Sequence, residues 1–309
     1  MTKVFIDGSA GTTGLRIYER LGSRQDLELM ILPDHLRKDP AARADMLNSA
    51  DIAFLCLPDQ AAREAVSLVT SDHTAIIDTS TAHRTNDDWT YGFPELTGKK
   101  AAVAASKRIA NPGCHASGFV ALIAPLVEQG LLKADANLSC FSLTGYSGGG
   151  KQMIAGYESP DRSPLLKGPR QYGLTQVHKH LPEMVKLCGL QNTPAFCPVV
   201  GDFYSGMEVT VPVFADHLKG GIEDIKKLYK DYYATGLVKF TEEADPDGLL
   251  SAAAFSGRDD MAVSVYGYDD RIILVSRFDN LGKGASGAAV QCMNLALGLP
   301  ETTGLATDI

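Results

Sequence analysis

Apolar and polar positions along the first third of the chain predict a series of strand, turn and helix units. The apolar run Val4–Ile6 ends at a glycine-rich turn, and Leu15, Tyr18 and Leu21 follow at helical spacing. Strands that alternate with helices are typical of a parallel, doubly wound sheet. The further elements predicted in this region are strands at Leu27–Leu32, Ile52–Leu57, Ala75–Ile77 and Ala101–Ala104 and a helix from Gln60 to about Val69.

The second half of the chain has a different pattern, in which strands dominate. Leu138–Thr144 alternates like a strand, and two later runs are joined by a connection short enough for a hairpin. This half is therefore predicted to be α+β, with a mostly antiparallel sheet that helices cover on one side. The remaining predicted elements are strands at Val209–Phe214, Ala262–Tyr268 and Ile272–Phe278, an amphipathic helix at Ile222–Tyr233, and a final helix from Gly284 to Ala296.

Length, charge and cysteine usage exclude several classes of protein. A chain of 309 residues suggests two domains. A formal net charge of −8 argues against a nucleic-acid surface, and no apolar run reaches membrane-spanning length. The N-terminus lacks the pattern of a signal peptide, and the six cysteines form no CxxC pair. These features predict a cytoplasmic enzyme that acts on a small molecule, without nucleic-acid or membrane partners.

The first glycine-rich turn is a candidate binding site for a dinucleotide. Glycines after an N-terminal strand allow a tight turn, and the N–H groups that open the following helix can hold a pyrophosphate. The GxxGxxG spacing departs from the common GxGxxG, so a tight turn without a ligand is the alternative. The candidate cofactor residues here are Gly8, Ser9, Ala10, Gly11, Thr12, Thr13 and Gly14.

The residues after the second strand bear on which nicotinamide cofactor binds. Asp34 suits the ribose diol of NAD, whereas Arg37 and Lys38 suit the additional phosphate of NADP. We favour NADP, with Arg37 as its contact; a solvated loop is the alternative. Pro58 and Ser80 each follow a strand and are further candidate contacts, because ligands collect where parallel strands end.

Cys114 differs from the other cysteines in its local sequence. Pro112 and Gly113 force a turn, and an apolar helix is predicted to begin at or near Cys114, with Pro125 bending or ending it. A thiol at a helix N-terminus has an increased thiolate fraction, as a nucleophile requires. A buried structural cysteine is the alternative. A thiolate and a nicotinamide together suit the reduction of an activated acid through a thioester.

Two histidines, His178 and His180, alternate along the chain and on an extended strand would project to one side. No third metal ligand stands at a readable spacing, so no metal site is predicted. A histidine is suited to carry the thiol proton, since its pKa lies near neutral pH. The spacing alone does not decide between the two histidines.

Seven segments together resemble the N-acetyl-gamma-glutamyl-phosphate reductase family, in its shorter form, which is related to the aspartate-semialdehyde dehydrogenases. The resemblance spans nearly the whole chain. It departs at His115, where a tyrosine is commoner, and at Thr79–His83, where the longer form more often has an acidic-aromatic pair. The segments are Gly8–Gly14, Ile77–Arg84, Tyr91–Leu96, Asn111–Cys114, Gly145–Gly150, His178–Glu183 and Asn280–Gly287.

The resemblance implies a reaction and roles for particular residues. The reaction is NADPH-dependent reduction of N-acetyl-L-glutamyl 5-phosphate to the 5-semialdehyde and phosphate, in arginine biosynthesis. Cys114 would be the nucleophile and His180 the proton carrier, and Asn280 would contact the cofactor. The implied substrate contacts are Arg84, Arg108, Ser147, Gly148, Gly149 and His178.

The resemblance also implies a domain organisation and an assembly. Residues 1–113 and 284–309 would form a Rossmann-like dinucleotide-binding domain, and residues 114–283 the catalytic and oligomerisation domain. The chain would form a homo-oligomer, either a dimer or a homotetramer.

Overall fold

The computed structural model describes residues 1–308, and the chain divides into two compact units. The first unit contains Met1–Pro112 and Ala285–Leu305, and the second contains Gly113–Gly284 with the residues that follow Leu305. None of the helices in the described residues is long and apolar enough to cross a membrane.

The first unit is built on a parallel six-stranded sheet with the order β2-β1-β3-β4-β6-β5. The order reverses between β1 and β3, so the carboxyl edge of the sheet (the edge at which the strands end) has its switch point there. The strands are β1 (Thr2–Asp7), β2 (Leu27–Met30), β3 (Ile52–Leu55), β4 (Ala75–Asp78), β5 (Thr90–Tyr91) and β6 (Arg108–Ala110). The helices are α1 (Thr12–Leu21), α2 (Pro40–Ser49), α3 (Asp59–Ser67) and α4 (Lys99–Ala105).

Both faces of this sheet are covered, which is why its central strands are apolar without alternation. On one face Ile6, Phe54 and Ile77 pack with Ile17 of α1 and Val103 of α4. On the other face residues of α2 and α3 cover the remaining strand side chains. This second core contains Phe5, Ala53, Leu55 and Ile76 with Leu47, Ala62 and Ala65.

The second unit is built on a mixed, mostly antiparallel seven-stranded sheet with the order β11-β12-β13-β10-β7-β9-β8. Only the β7–β9 and β11–β12 pairs are parallel. The strands are β7 (Ser139–Gly145), β8 (Arg170–Gln171), β9 (Ala195–Gly201), β10 (Met207–Phe214), β11 (Val238–Phe240), β12 (Met261–Tyr268) and β13 (Arg271–Phe278). The helices are α5 (Cys114–Glu128), α6 (Gly150–Glu158), α7 (Leu181–Cys188) and α8 (Ile222–Tyr232).

Helix α5 lies on the inner face of this sheet and is buried along nearly its whole length. It begins at Cys114, as predicted, and Pro125 lies inside its last turn without ending it. A π-turn at Gly282–Ser286 leads into α9 (Gly287–Ala296), whose Ala289, Val290 and Met293 return to the core of the first unit. The fold is therefore the predicted combination of a doubly wound parallel sheet and an α+β unit.

One of the predicted strands was wrong. Ala101–Ala104 is not a strand but part of α4, because alanine-rich segments favour helix and no alternation opposes it. The strand that pairs with β4 is β6, which the pattern of apolar residues did not predict. In α1 the buried positions are Gly14, Ile17 and Leu21, whereas Leu15 and Tyr18 are exposed.

Candidate active site

The glycine-rich turn after β1 lies at the switch point of the parallel sheet and can accept only glycine at two positions. Gly8 has φ +88°, and a Cβ there would lie 2.3 Å from the carbonyl oxygen of Cys56. A Cβ on Gly14 would lie 2.4 Å from the carbonyl oxygen of Gly8. The turn therefore brings the chain from β1 into α1 along a backbone path that side chains would block.

The N-terminus of α1 is suited to bind an anion. Gly11 at the N-cap has no side chain to accept the first N–H groups, and the first turn contains no acidic residue. In contrast, Asp39 caps α2 by accepting from the Ala42 N–H. Uncapped N–H groups at a switch point are what a pyrophosphate requires, so these residues fit a dinucleotide.

An acidic side chain at this edge, Asp7, is paired with a cation. Arg43 of α2 donates to Asp7 Oδ2 from Nε at 3.0 Å and from a terminal nitrogen at 2.7 Å. Burial is the main influence on Asp7 and raises its pKa despite the opposing effect of Arg43. The pairing limits the repulsion that a carboxylate at the end of β1 would exert on a bound phosphate.

The segment after β4 folds around the buried carboxylate of Asp78. Ser80 donates to Asp78 from its N–H at 2.9 Å and from its Oγ at 2.8 Å. His83 Nδ1 lies 2.6 Å from the same carboxylate, and its ring stacks on Trp89 with centroids 4.0 Å apart. The hydroxyl of Ser80, a candidate cofactor contact, is therefore used to order this turn.

Arg84 braces the carboxyl edge of the first sheet. Its Nε donates to the Asn111 carbonyl at 2.8 Å, and a terminal nitrogen donates to the Thr79 carbonyl at 2.9 Å. Thr79 and Asn111 directly follow β4 and β6, so the guanidinium joins the ends of two neighbouring strands. These contacts give Arg84 a role in the fold of the unit, beside the substrate role that the resemblance implied.

The other candidate residues of the first unit lie at two different edges of the sheet. Arg37 follows β2 at the carboxyl edge and pairs with Asp34 at 2.8 Å. Pro58 follows β3 as the N-cap of α3. Arg108 begins β6, at the opposite edge, where it donates to the Thr74 and Lys107 carbonyls and burial lowers its pKa. The structure thus places Arg108 where parallel strands begin, which is not where ligands bind such sheets.

The candidate nucleophile lies at a helix N-terminus in the second unit. Cys114 is the first residue of α5 and is partly exposed. The N–H of the preceding Gly113 donates to Glu183 Oε1 at 2.8 Å, and Glu183 is fully buried in the first turn of α7. The carboxylate therefore fixes the backbone that carries the thiol.

The two candidate histidines lie next to each other, but not because the chain is extended. Residues 178–180 form a turn into α7, with His180 at its N-cap in a helical conformation. Their ring centroids are 4.8 Å apart, and both rings pack against His115, the second residue of α5. The predicted proximity is correct, and the predicted extended geometry is wrong.

The two histidines differ in exposure and in hydrogen bonding. His178 Nδ1 accepts from the His180 N–H at 3.2 Å, which leaves the proton of neutral His178 on Nε2. Burial and the charge of Lys179 lower the pKa of His178. His180 is buried, and His178 is half-buried. His178 is therefore arranged as a neutral Nε2–H donor.

The loop after β7 is ordered by Asn280. Asn280 Nδ2 donates to Ser147 Oγ at 3.0 Å, and its Oδ1 accepts from the Gly206 N–H at 2.9 Å. The Ser147 N–H donates to the Tyr204 carbonyl, so it is already used within the fold. Asn280 thus lies in the second unit beside the loop of Ser147, Gly148 and Gly149. The cofactor contact that the resemblance implied for it stays a prediction.

No group of three or more His, Cys, Asp or Glu side chains within residues 1–308 is arranged to hold a metal ion.

Comparison with known families assigns both units to the semialdehyde dehydrogenases. Residues 3–104 match the model of the semialdehyde dehydrogenase NAD binding domain, and residues 114–280 match that of the semialdehyde dehydrogenase dimerisation domain. N-acetyl-gamma-glutamyl-phosphate reductase 2 of Nostoc sp. is 45% identical over 98% of this chain and 99% of its own. The N-acetyl-gamma-glutamyl-phosphate reductase of Chelativorans sp. is 46% identical over 96% of this chain and 98% of its own.

The chain belongs to the N-acetyl-gamma-glutamyl-phosphate reductase family. The family resemblance found in the sequence is therefore confirmed, and with it the class of oxidoreductase with a nicotinamide-binding domain.

Solved structures of semialdehyde dehydrogenases share this fold over nearly the whole chain. Aspartate semialdehyde dehydrogenase II of Vibrio cholerae matches with a TM-score of 0.70 at 17% identity, covering 96% of this chain and 98% of its own. The Francisella tularensis enzyme matches with a TM-score of 0.71 at 18% identity, covering 96% and 99%. At such identities the likeness establishes the fold alone.

Glu183, Tyr172 and His115 received no role from the sequence, although each contacts the segments that carry Cys114 and the two histidines. Glu183 had a usable signal, since an acidic residue three positions after an N-cap is typical of a helix start. Tyr172 and His115 gave no such signal, because their contact joins positions 57 residues apart.

Proposed function

We propose that this chain reduces N-acetyl-L-glutamyl 5-phosphate to N-acetyl-L-glutamate 5-semialdehyde and phosphate through a thioester on Cys114, as a step of arginine biosynthesis. The arrangement around Cys114 carries the proposal: a partly exposed thiol begins α5, and a buried carboxylate holds the preceding N–H. Two adjacent histidines pack against the residue that follows the thiol. A nucleophile, a proton carrier and a hydrogen-bond donor are the groups that this acyl transfer requires.

In the proposed mechanism His180 takes the proton of the Cys114 thiol, and the thiolate attacks the acyl carbon. The carbon–oxygen bond to phosphate breaks, phosphate leaves with its electron pair, and a thioester forms. When bound, NADPH would supply the hydride that the reduction of this thioester requires. His180 returns its proton to the oxyanion of the resulting hemithioacetal, and collapse of the hemithioacetal releases the aldehyde and the Cys114 thiol, which takes up the hydroxyl proton. His178 donates from Nε2 to an oxygen of the substrate.

We assign the substrate's anionic end to the loop of Ser147, Gly148 and Gly149, with Asn280 as the side chain that orders it. A turn that is followed by the start of α6 offers main-chain N–H groups to an anion. Arg108 is not part of this proposal, because its guanidinium donates to carbonyls at the amino edge of the first sheet.

We propose NADP as the cofactor, bound at the turn Gly8–Gly14 with its pyrophosphate on the N-terminus of α1. Arg37, which follows β2, would contact the additional phosphate, where a cation is favourable. The free thiols of all six cysteines are consistent with a reducing compartment, and we place the enzyme in the cytoplasm.

The test of this function is turnover in the reverse direction. We expect NADP⁺ to be reduced in the presence of N-acetyl-L-glutamate 5-semialdehyde and phosphate, and more slowly when NAD⁺ replaces it. Absorbance of the reduced nicotinamide measures the rate, with aspartate semialdehyde as the parallel substrate. A rate with the aspartyl compound alone would assign the chain to that chemistry instead, and no rate with either would exclude both reductase activities.

We further propose that the outer face of the second sheet is the interface of a homo-oligomer, with a second copy of this chain as the occupant. Phe141 of β7 and Ile273 of β13 are 51% and 43% exposed. Their neighbours across the strands include Cys197, Pro212 and Tyr266. Monomers rarely expose an apolar surface that continues across several strands, and the family model for this unit is described as a dimerisation domain.

Replacing Phe141 by aspartate is expected to shift the protein from a dimer or tetramer to a monomer. A charge at the centre of an apolar interface costs desolvation in the oligomer only. Sedimentation velocity measures the change, and the control is Leu249→Asp, which replaces a leucine that is 67% exposed and lies outside the sheet. If Phe141→Asp and Leu249→Asp sediment like the unaltered protein, the interface lies elsewhere.

A further inference from the structure

His115 is a buried side chain that connects three parts of the second unit. It follows Cys114 in α5, and its Nδ1 lies 2.6 Å from Ser142 Oγ of β7. Its Nε2 lies 2.6 Å from the hydroxyl of Tyr172, in the segment that leads to α7. Both nitrogens are therefore used, and the helix that carries the thiol is tied to the segment that carries the two histidines.

The rings around His115 are packed closely and at steep angles. Its centroid lies 5.8 Å from that of His178, 5.5 Å from that of His180 and 5.3 Å from that of Phe196. The interplanar angles are 86°, 50° and 78° respectively. The contacts with His178 and Phe196 are edge-to-face, and the contact with His180 is tilted. Edge-to-face contacts fix the plane of a ring as well as its position. The His115 ring thus fixes the plane of the His178 ring and packs directly against the His180 ring.

The charge state of His115 suits this position. Burial is the main cause that lowers the pKa of His115 to about 3, and the proximity of His178 and Lys179 acts in the same direction. The ring is therefore neutral at neutral pH, with one nitrogen that donates and one that accepts. A neutral neighbour does not oppose the positive charge that His180 acquires when it takes the thiol proton, whereas a second imidazolium at this distance would.

We propose that His115 is a positioning residue of the reductase. Through its hydrogen bond to Tyr172 and its ring contacts, His115 holds the rings of His178 and His180 in position relative to the Cys114 thiol, which begins the same helix as His115. The expected change in kcat rests on the proposed function. The expected effect on the positions of Cys114 and the histidines does not.

Substituting His115 by asparagine or by glutamine tests its two hydrogen bonds one at a time, because each amide can replace only one ring nitrogen. The amide of His115→Asn reaches the position of Nδ1 and Ser142, whereas that of His115→Gln reaches the position of Nε2 and Tyr172. Loss of alignment by about 1 Å costs roughly 10²-fold in rate, so we expect kcat to fall about 10- to 100-fold in His115→Asn and less in His115→Gln. The KM for NADPH is expected to be unchanged in both variants.

A double-mutant cycle tests whether His115 acts through Tyr172. Tyr172→Phe removes one oxygen, and the variant with both His115→Asn and Tyr172→Phe is expected to be no slower than the slower single variant. Should His115→Asn fail to fold, the same cycle is measured with His115→Leu, which also removes the bond to Tyr172. If the fold-loss in kcat of the double variant equals the product of the fold-losses of the two single variants, His115 does not act through this hydrogen bond.

The pH dependence of Cys114 alkylation tests the same inference without substrate. Mass spectrometry follows the rate at which iodoacetamide labels the Cys114 peptide over a series of pH values. The pH at which this rate is half-maximal is expected to change in His115→Asn. A purely structural role would lower the thermal midpoint alone. His217→Asn, the same substitution outside the cluster, is expected to match the unaltered protein.

The outcomes distinguish this inference from the proposed function. If the protein shows no reductase turnover and the midpoint pH of Cys114 alkylation still changes in His115→Asn, the positioning role of His115 holds and the proposed substrate is wrong. An unchanged midpoint together with unchanged kcat in His115→Asn would overturn the positioning role while leaving the reductase intact.

Discussion

Replacing Cys114 by alanine is expected to abolish reductase turnover while leaving cofactor binding intact. Loss of a covalent nucleophile removes the whole thioester route, so kcat is expected to fall by roughly 10⁴-fold or more. The thiol is partly exposed at the start of α5, so its removal leaves no large cavity in the core. Steady-state kinetics measure the loss, and titration with NADPH measures the cofactor affinity.

The control for this change is Cys197→Ala, which removes a half-buried thiol of the same unit from β9. It is expected to keep turnover. In the unaltered protein without NADPH, incubation with the acyl phosphate should add an N-acetylglutamyl group to the peptide that contains Cys114. A Cys114→Ala protein that kept turnover within a few-fold would exclude the proposed thioester.

Replacing His180 by asparagine is expected to lower kcat by about 10²- to 10⁴-fold, the contribution of a positioned acid–base group. The variant also loses the base for the thiol, so alkylation of Cys114 at neutral pH should slow in parallel. Stopped-flow measurement of hydride transfer and labelling of the Cys114 peptide follow the two effects separately.

His178→Asn is the comparison that decides between the two histidines. Its Nδ1 already accepts from the His180 N–H, and burial with the charge of Lys179 lowers its pKa. We therefore expect a rise in the KM for the acylated substrate, with a smaller loss of kcat than in His180→Asn. The reverse ranking would assign the proton to His178.

Much of the fold was predictable because it depends on local sequence. The strand and turn at Val4–Gly14 and the helix start at Cys114 follow from apolar runs that meet glycine or proline. The strand predicted at Ala101–Ala104 was wrong, because four residues of local sequence do not distinguish a short strand from part of an alanine-rich helix. Short segments without a clear period are decided by the neighbours they pack against.

Side-chain direction was the part of the site that the sequence left open. Arg108 precedes Cys114 closely in the chain, yet it begins a strand and its guanidinium lies among carbonyls at the amino edge of its sheet. Asn280, for which the resemblance implied a cofactor contact, orders the Ser147 loop through a contact between residues 133 positions apart. Such assignments depend on which edge of a sheet a residue occupies, and spacing carries no information about that.

The sequence by itself determined the family, the two fold types and the candidate nucleophile, because these depend on motifs whose residues are neighbours in the chain. Only the tertiary structure decided how His178 and His180 differ and that His115 and Glu183 belong to the same site. Glu183 holds the N–H before Cys114, and His115 contacts both histidine rings. These contacts join α5, β7 and the turn before α7, and they exist only once the chain has folded and excluded water from them.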